Sequence, residues 1–249
     1  MIRSLTFTPE AAASVVPWWG KCPAWRDRTS FTFNPGLTLI CGPNGTGKTA
    51  LFKMLARLLL AEQGGKTAIT EDCLGDTRNY KLGDIQLDHD GQGVWHLDLT
   101  HTPGLVGGMA AFDFAFMEEA MLGVETHRSS AGQGTLMRLG GMVKAMTEAR
   151  APEVQNQLRG EVPERIRTML AGSGEKGPPT FLLDEPDRNL DSVNQVALWT
   201  GLRRLSKQCQ IIVISHNILP LIALPKAQIL ETTPGYVDRA RSAMEGYLE

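Results

Sequence analysis

The 249-residue chain reads as an α/β domain built on a parallel sheet, and three stretches predict it. The apolar run Leu37 to Cys41 leads into Gly42-Pro43-Asn44-Gly45-Thr46-Gly47-Lys48-Thr49, and residues 50 to 60 then carry apolar side chains at helical spacing. The apolar run Thr180 to Leu183 ends in the carboxylates Asp184 and Glu185. From there strand and helix patterns alternate to residue 231, an order that implies a parallel sheet covered by helices.

The first stretch fits G-x-x-x-x-G-K-[ST] between a buried strand and a helix, which is the context that phosphate binding requires. Glycines at 42, 45 and 47 let the backbone turn its N–H groups inward, and the helix that begins near Lys48 adds the positive end of its dipole. Lys48 is expected to neutralise the β and γ phosphates of a bound nucleotide, with the Thr49 hydroxyl on Mg2+ and Ala50 among the residues that hold the nucleotide. A ligand-free glycine turn is the plainer alternative, but strand, Lys-Thr pair and helix all agree on the motif.

Composition sets the bounds. A hydrophobic content of 42% suits one large domain with its own core. The formal charge of −2 gives no overall footprint for nucleic acid or an anionic surface. It hides an asymmetry: residues 71 to 125 hold eleven acids against two bases, so the remainder is basic. An acidic protein-docking lobe is one reading and a solvated face the other, with Arg138, Lys144, Arg150, Arg159, Arg165 and Arg167 as candidates for any DNA contact. Four scattered cysteines, Cys22, Cys41, Cys73 and Cys209, read as free thiols of a reducing cytoplasm. No apolar run reaches the ~18 residues of a membrane span, and nothing resembles a signal peptide.

Along the chain, residues 2 to 8 and 30 to 34 alternate as strands, with Trp18, Trp19 and Trp25 between them as packing residues or an adenine platform. Residues 84 to 100 read as a hairpin turning at Asp90-Gly91, and its His89, His96, Asp88, Asp90 and Asp98, with His101 beyond, read as solvated rather than metal-binding. Helical patterns cover 109 to 122, about 135 to 149, and 154 to 170; residues 172 to 179 read as a loop. A strand at 180 to 184, a helix at about 192 to 207, a strand at 210 to 215, a short helix and a strand at 228 to 231 complete the pattern. The carboxylates at the end of the 180 to 184 strand fall on the edge where open α/β sheets bind ligands, so Asp184 is placed for the metal shell and Glu185 for the attacking water.

These residues resemble an ABC-type ATPase. Leu182-Leu183-Asp184-Glu185-Pro186 is similar to the family's Walker B motif with its catalytic glutamate, Asn189-Leu190-Asp191 to its D-loop, and Ile211 to His216 to the strand and histidine that contact the γ phosphate. Ser129-Ser130-Ala131-Gly132-Gln133 resembles a degenerate signature motif, with Ser130, Gly132 and Gln133 matching. The resemblance implies the ABC-ATPase fold: a mixed sheet with a P-loop core, an antiparallel β lobe at 66 to 108 and a helical signature lobe at 109 to 178. It implies Mg-dependent ATP hydrolysis by Glu185, His216 and Lys48, and an ATP-dependent homodimer in which Ser130, Gly132, Gln133 and Asp191 help complete the pocket. No glutamine fits the family's Q-loop, and the signature-to-Walker B gap is longer than in transporter subunits. The phrasing of residues 33 to 45 resembles the SMC and RecF type, without coiled-coil arms, so the expectation is a cytoplasmic switch acting on a protein partner or on DNA, with a transporter subunit as the alternative.

Overall fold

The computed structural model describes residues 1–7, 30–59, 61–63, 66–67, 85–98, 131–152 and 175–248. The three tryptophans at 18 to 25, the helical patterns at 109 to 122 and 154 to 170, Cys22, Cys73, His101, Ser129, Ser130, Arg159, Arg165 and Arg167 lie outside these residues.

Strand β1 (Ile2–Phe7) pairs antiparallel with β2 (Ser30–Thr32) on one side and with β6 (Ile85–His89) on the other. The larger sheet has seven strands in the order β10-β3-β9-β8-β7-β4-β5. They are β3 (Leu37–Cys41), β4 (Glu62–Gln63), β5 (Lys66–Thr67), β7 (Val94–Asp98), β8 (Thr180–Asp184), β9 (Gln210–Ile214) and β10 (Gln228–Glu231). Every pairing in it is parallel except β4 with β5. The described helices are α1 (Lys48–Leu58), α2 (Ala131–Thr147), α3 (Ser192–Leu205), α4 (Leu219–Ala223) and α5 (Tyr236–Leu248).

Strands β3, β8 and β9 are buried along their whole length, as expected of parallel strands covered on both faces. Their side chains divide with period two between two cores. Ile40, Leu182, Ile212 and Ile214 join Leu51, Phe52, Leu55 of α1 and the antiparallel sheet's Leu5 and Phe31. Leu39, Phe181, Leu183, Ile211 and Val213 face the other way, onto Leu139 and Met146 of α2 and Trp199 and Leu202 of α3.

One expectation is corrected. Residues 84 to 100 are not a hairpin: β6 belongs to the antiparallel sheet and β7 lies between β8 and β4 in the central one. The expected turn exists, with Gly91 at φ 73°, but it carries the chain from one sheet to the other. Strand β7 is thus part of the central sheet. Of the polar residues expected to be solvated here, Asp88 is exposed, but His89, Asp90 and His96 are buried. Asp90 accepts the Gln92 and Gly177 N–H groups and pairs with the Met1 ammonium. His89 Nδ1 accepts the Gly91 N–H, and burial pushes the imidazole down to about 4. Helix α5, beyond the last expected strand, was not anticipated.

Candidate functional site

Sheet order builds the site. Strand β9 lies between β3 and β8, and Leu39↔Val213 and Leu183↔Val213 are in register. The chain leaves the carboxyl ends of these three neighbours as the loop 42 to 47, the segment Ser215-His216 and the pair Asp184-Glu185. Three motifs far apart in sequence thus meet at one edge, where open α/β sheets bind ligands.

The loop has the backbone that its glycines permit, with φ of 152° at Gly42, 76° at Gly45 and 91° at Gly47. At Gly42 the requirement is also steric, because a Cβ there would stand 1.8 Å from Thr232 Oγ1. Thr46 Oγ1 reaches Pro43 O at 2.8 Å and Thr232 Oγ1 at 2.8 Å, and the Thr232 N–H donates to Cys41 O. Thr232, just past β10, therefore braces the loop from outside the motif. Pro43, Asn44 and Gly45 remain exposed at its crest, and Ala50 lies in the first turn of α1, which carries no acid to oppose an anion.

Lys48 is buried, and its ammonium donates to Gly42 O at 2.9 Å and Pro43 O at 2.7 Å. Burial lowers its pKa, against the opposing pull of Glu185, Cys41 and Asp184. The Thr49 hydroxyl donates to Asp184 Oδ1 at 3.4 Å. A hydroxyl and a buried carboxylate beside a phosphate loop form the oxygen-only donor set that suits magnesium, so these two residues fit that ion. Among the described residues no group of three His, Cys, Asp or Glu stands ready to hold a metal alone.

Glu185 adopts φ 49°, the left-handed region that non-glycine residues rarely enter. Its N–H donates to Ile214 O at 3.0 Å, and its carboxylate lies 2.7 Å from His216 Nε2 and 3.8 Å from Arg188. Asp187, two residues on, is buried and accepts the Ser215 hydroxyl at 2.8 Å; burial raises its pKa, with Ser215 opposing. Asp191 caps α3 and takes both the N–H and the side-chain amide of Asn194. Its carboxylate is thus engaged within its own helix. Gly132 and Gln133 lie in the first turn of α2, tied to the 185 to 191 turn through Thr135 Oγ1, which donates to Arg188 O at 3.3 Å. Sequence reasoning missed Asp187, Ser215 and Thr232. Ser215 was within reach, since it adjoins His216.

A family model described as an AAA domain matches residues 23–104. The cytochrome c biogenesis ATP-binding export protein of Xylella fastidiosa is 30% identical over 162 residues, 65% of this chain and 62% of that protein. The chain is similar to ABC-type P-loop ATPases. The energy-coupling factor transporter ATP-binding protein of Lactobacillus gasseri is 27% identical over 206 residues, 79% of this chain and 65% of its own length. The chain thus spans slightly under two thirds of these two relatives. A dimeric bacterial ABC transporter cassette shares 19% identity and a TM-score of 0.37, covering 82% of this chain and 84% of its own.

Proposed function

We propose that the chain is an ATPase that binds ATP with magnesium at residues 42 to 50 and Asp184 and hydrolyses it at Glu185. The observation that carries this is the meeting of Thr49 with Asp184 and of Glu185 with His216 at the carboxyl edge of adjacent parallel strands. Lys48 would leave the Gly42 and Pro43 carbonyls for the phosphate oxygens, and the buried amine would carry its charge to them. Magnesium, when bound, supplies charge neutralisation at the phosphates, and Thr49 and Asp184 would hold it. Glu185 accepts a proton from the attacking water, and His216, hydrogen-bonded to it, orients it toward the terminal phosphate.

A homodimer completes the reading, with Ser130, Gly132 and Gln133 of one copy offered to the phosphates held by the other. The output of such a motor goes to a partner. The curated relatives, named as ATP-binding proteins of export and transport systems, favour a membrane transporter. Among the described residues no helix is long and apolar enough to cross a membrane. The second reading, closer to SMC and RecF ATPases and acting on a soluble protein or DNA, is supported by the SMC-like phrasing before the loop and the degenerate signature.

The test is Glu185→Gln. Nucleotide binding is expected to persist, turnover to fall by about 10² to 10⁴, and the variant to accumulate as an ATP-bound dimer. Hydrolysis at the parent rate would remove Glu185 from the mechanism. Recovery of a membrane protein with this variant supports transport, whereas ATP-dependent, salt-sensitive DNA binding supports the second reading.

A further inference from the structure

The geometry points to Asp187 and Ser215 as a positioning pair that holds Glu185 against His216. The inference rests on the proposed ATPase, whose glutamate and histidine lie on two segments that must keep a fixed separation.

Three rungs join these segments. The Glu185 N–H donates to Ile214 O at 3.0 Å, Ser215 Oγ donates to Asp187 Oδ2 at 2.8 Å, and His216 Nε2 stands 2.7 Å from Glu185 Oε1. The Asp187 rung alone joins side chains that are both buried, at 6% and 1% exposure, away from the solvent that loosens the third. A carboxylate placed there costs desolvation, and the Ser215 hydroxyl at the stem of the histidine segment offsets it more than its own backbone N–H does.

The same hydroxyl continues the strut. Ser215 Oγ accepts the Asn217 N–H at 2.9 Å, and the Asn217 amide donates to Gln195 Oε1 while Gln195 Nε2 donates to Leu190 O at 2.9 Å. The turn after Glu185, the histidine segment and the start of α3 are thereby one hydrogen-bonded unit. Glu185 sits in it at a positive φ, a conformation that persists only where its surroundings over-determine it. Without the Asp187 rung, the histidine segment is free to shift relative to the glutamate. A displacement of about 1 Å at a reacting group is enough to cost on the order of 10² in rate.

The experiment compares Asp187→Ala, Asp187→Asn, Ser215→Ala and the double alanine variant with the parent. Asp187→Ala and Ser215→Ala are each expected to lower kcat by roughly tenfold, with nucleotide affinity held within about twofold. Asp187→Asn restores most of the rate, because its carbonyl accepts the Ser215 hydroxyl. The double variant is no worse than either single one, as expected of one shared interaction. Parent-like kcat in Asp187→Ala, equal losses of affinity and rate, or failure of Asn to rescue would each overturn the pair. A nuclear magnetic resonance readout keeps the test independent of turnover: the His216 ring signals, assigned with His216→Gln, should move in Asp187→Ala. Unmoved signals would overturn the strut even in a parent without ATPase activity, whereas moved signals in such a parent would refute only the proposed reaction.

Discussion

The proposed mechanism asks Glu185 to be both a catalytic base and a residue with left-handed backbone, and replacing it by glycine and by alanine separates the two demands. At φ 49° an L side chain costs on the order of 1–2 kcal/mol relative to the right-handed form, a cost that alanine keeps and glycine removes. Glycine adds about 0.5–1 kcal/mol of conformational entropy to the unfolded chain. Both variants lose the hydrogen bond to His216, worth about 1 kcal/mol, and the looser Arg188 contact, so those losses cancel in the comparison. Glu185→Gly should therefore be more stable than Glu185→Ala by about 0.5–1 kcal/mol, although glycine is ordinarily the less stabilising residue. With a urea slope of about 3 kcal/mol/M, that is a midpoint about 0.2–0.3 M higher in an equilibrium unfolding series. Turnover should fall by about 10² to 10⁴ in both. An alanine variant as stable as the glycine one would refute the claim that strain is stored at the catalytic position.

Gly42→Ala puts a methyl 1.8 Å from Thr232 Oγ1 and 3.0 Å from Thr232 Cβ, so either the loop or its brace must move. Nucleotide affinity, read by titration with a fluorescent ATP analogue, should fall by about tenfold or more, and parent-like affinity would show that the brace is dispensable. His89 titrates near 4 in the folded chain against an ordinary 6.5, so the unfolded state binds more protons between those values and stability is lost as pH falls from about 6.5 to about 4. The shift corresponds to roughly 3 kcal/mol, and His89→Asn, which keeps an acceptor near the Gly91 N–H but has no proton site, should flatten that stretch of the urea-midpoint profile; an unchanged profile would assign the acid sensitivity elsewhere.

What was legible in the sequence was whatever depended on near neighbours. Leu37 to Cys41, Thr180 to Asp184 and Gln210 to Ile214 are continuous apolar runs because both of their faces are buried, and that pattern does not depend on which strand lies alongside. The phosphate loop is local by nature. The pairing of residues 85 to 98 was not legible, since a strand's composition is the same whether it pairs with the next strand or with one 80 residues away. The burial of Asp187 and His89 was not legible for a related reason: a polar residue at a turn reads as solvated until the fold shows what covers it. Helix α5 has its signal in the spacing of Val237, Ala240 and Met244 after Pro234-Gly235, a stretch short of strong apolar residues.

The two edges of the central sheet explain why strain is tolerable at one of them. At the amino-terminal edge, Gln210 makes four hydrogen bonds: its oxygen accepts the Ile2 N–H and the Thr180 hydroxyl, and its amide donates to Ile2 O and Asn34 O. Gln228 makes three more at β10, accepting from Asn34 N and Thr38 Oγ1 and donating to Thr32 O. These two amides join the antiparallel sheet to the parallel one through buried or half-buried polar contacts that are satisfied, the condition under which such networks rigidify a core. At the opposite edge the same strands end in loops with φ of 152°, 76° and 91°, a strained glutamate and a buried carboxylate. The glutamate and the buried carboxylate cost stability locally, and all of these features lie where phosphate, metal and water would have to be held in fixed positions. Because β8 and β9 are in register from Thr180↔Gln210 to Asp184↔Ile214, a strand anchored at its amino end cannot slide to relieve the strain at its carboxyl end. Rigid anchoring on one side is thus the physical condition for a strained, preorganised site on the other.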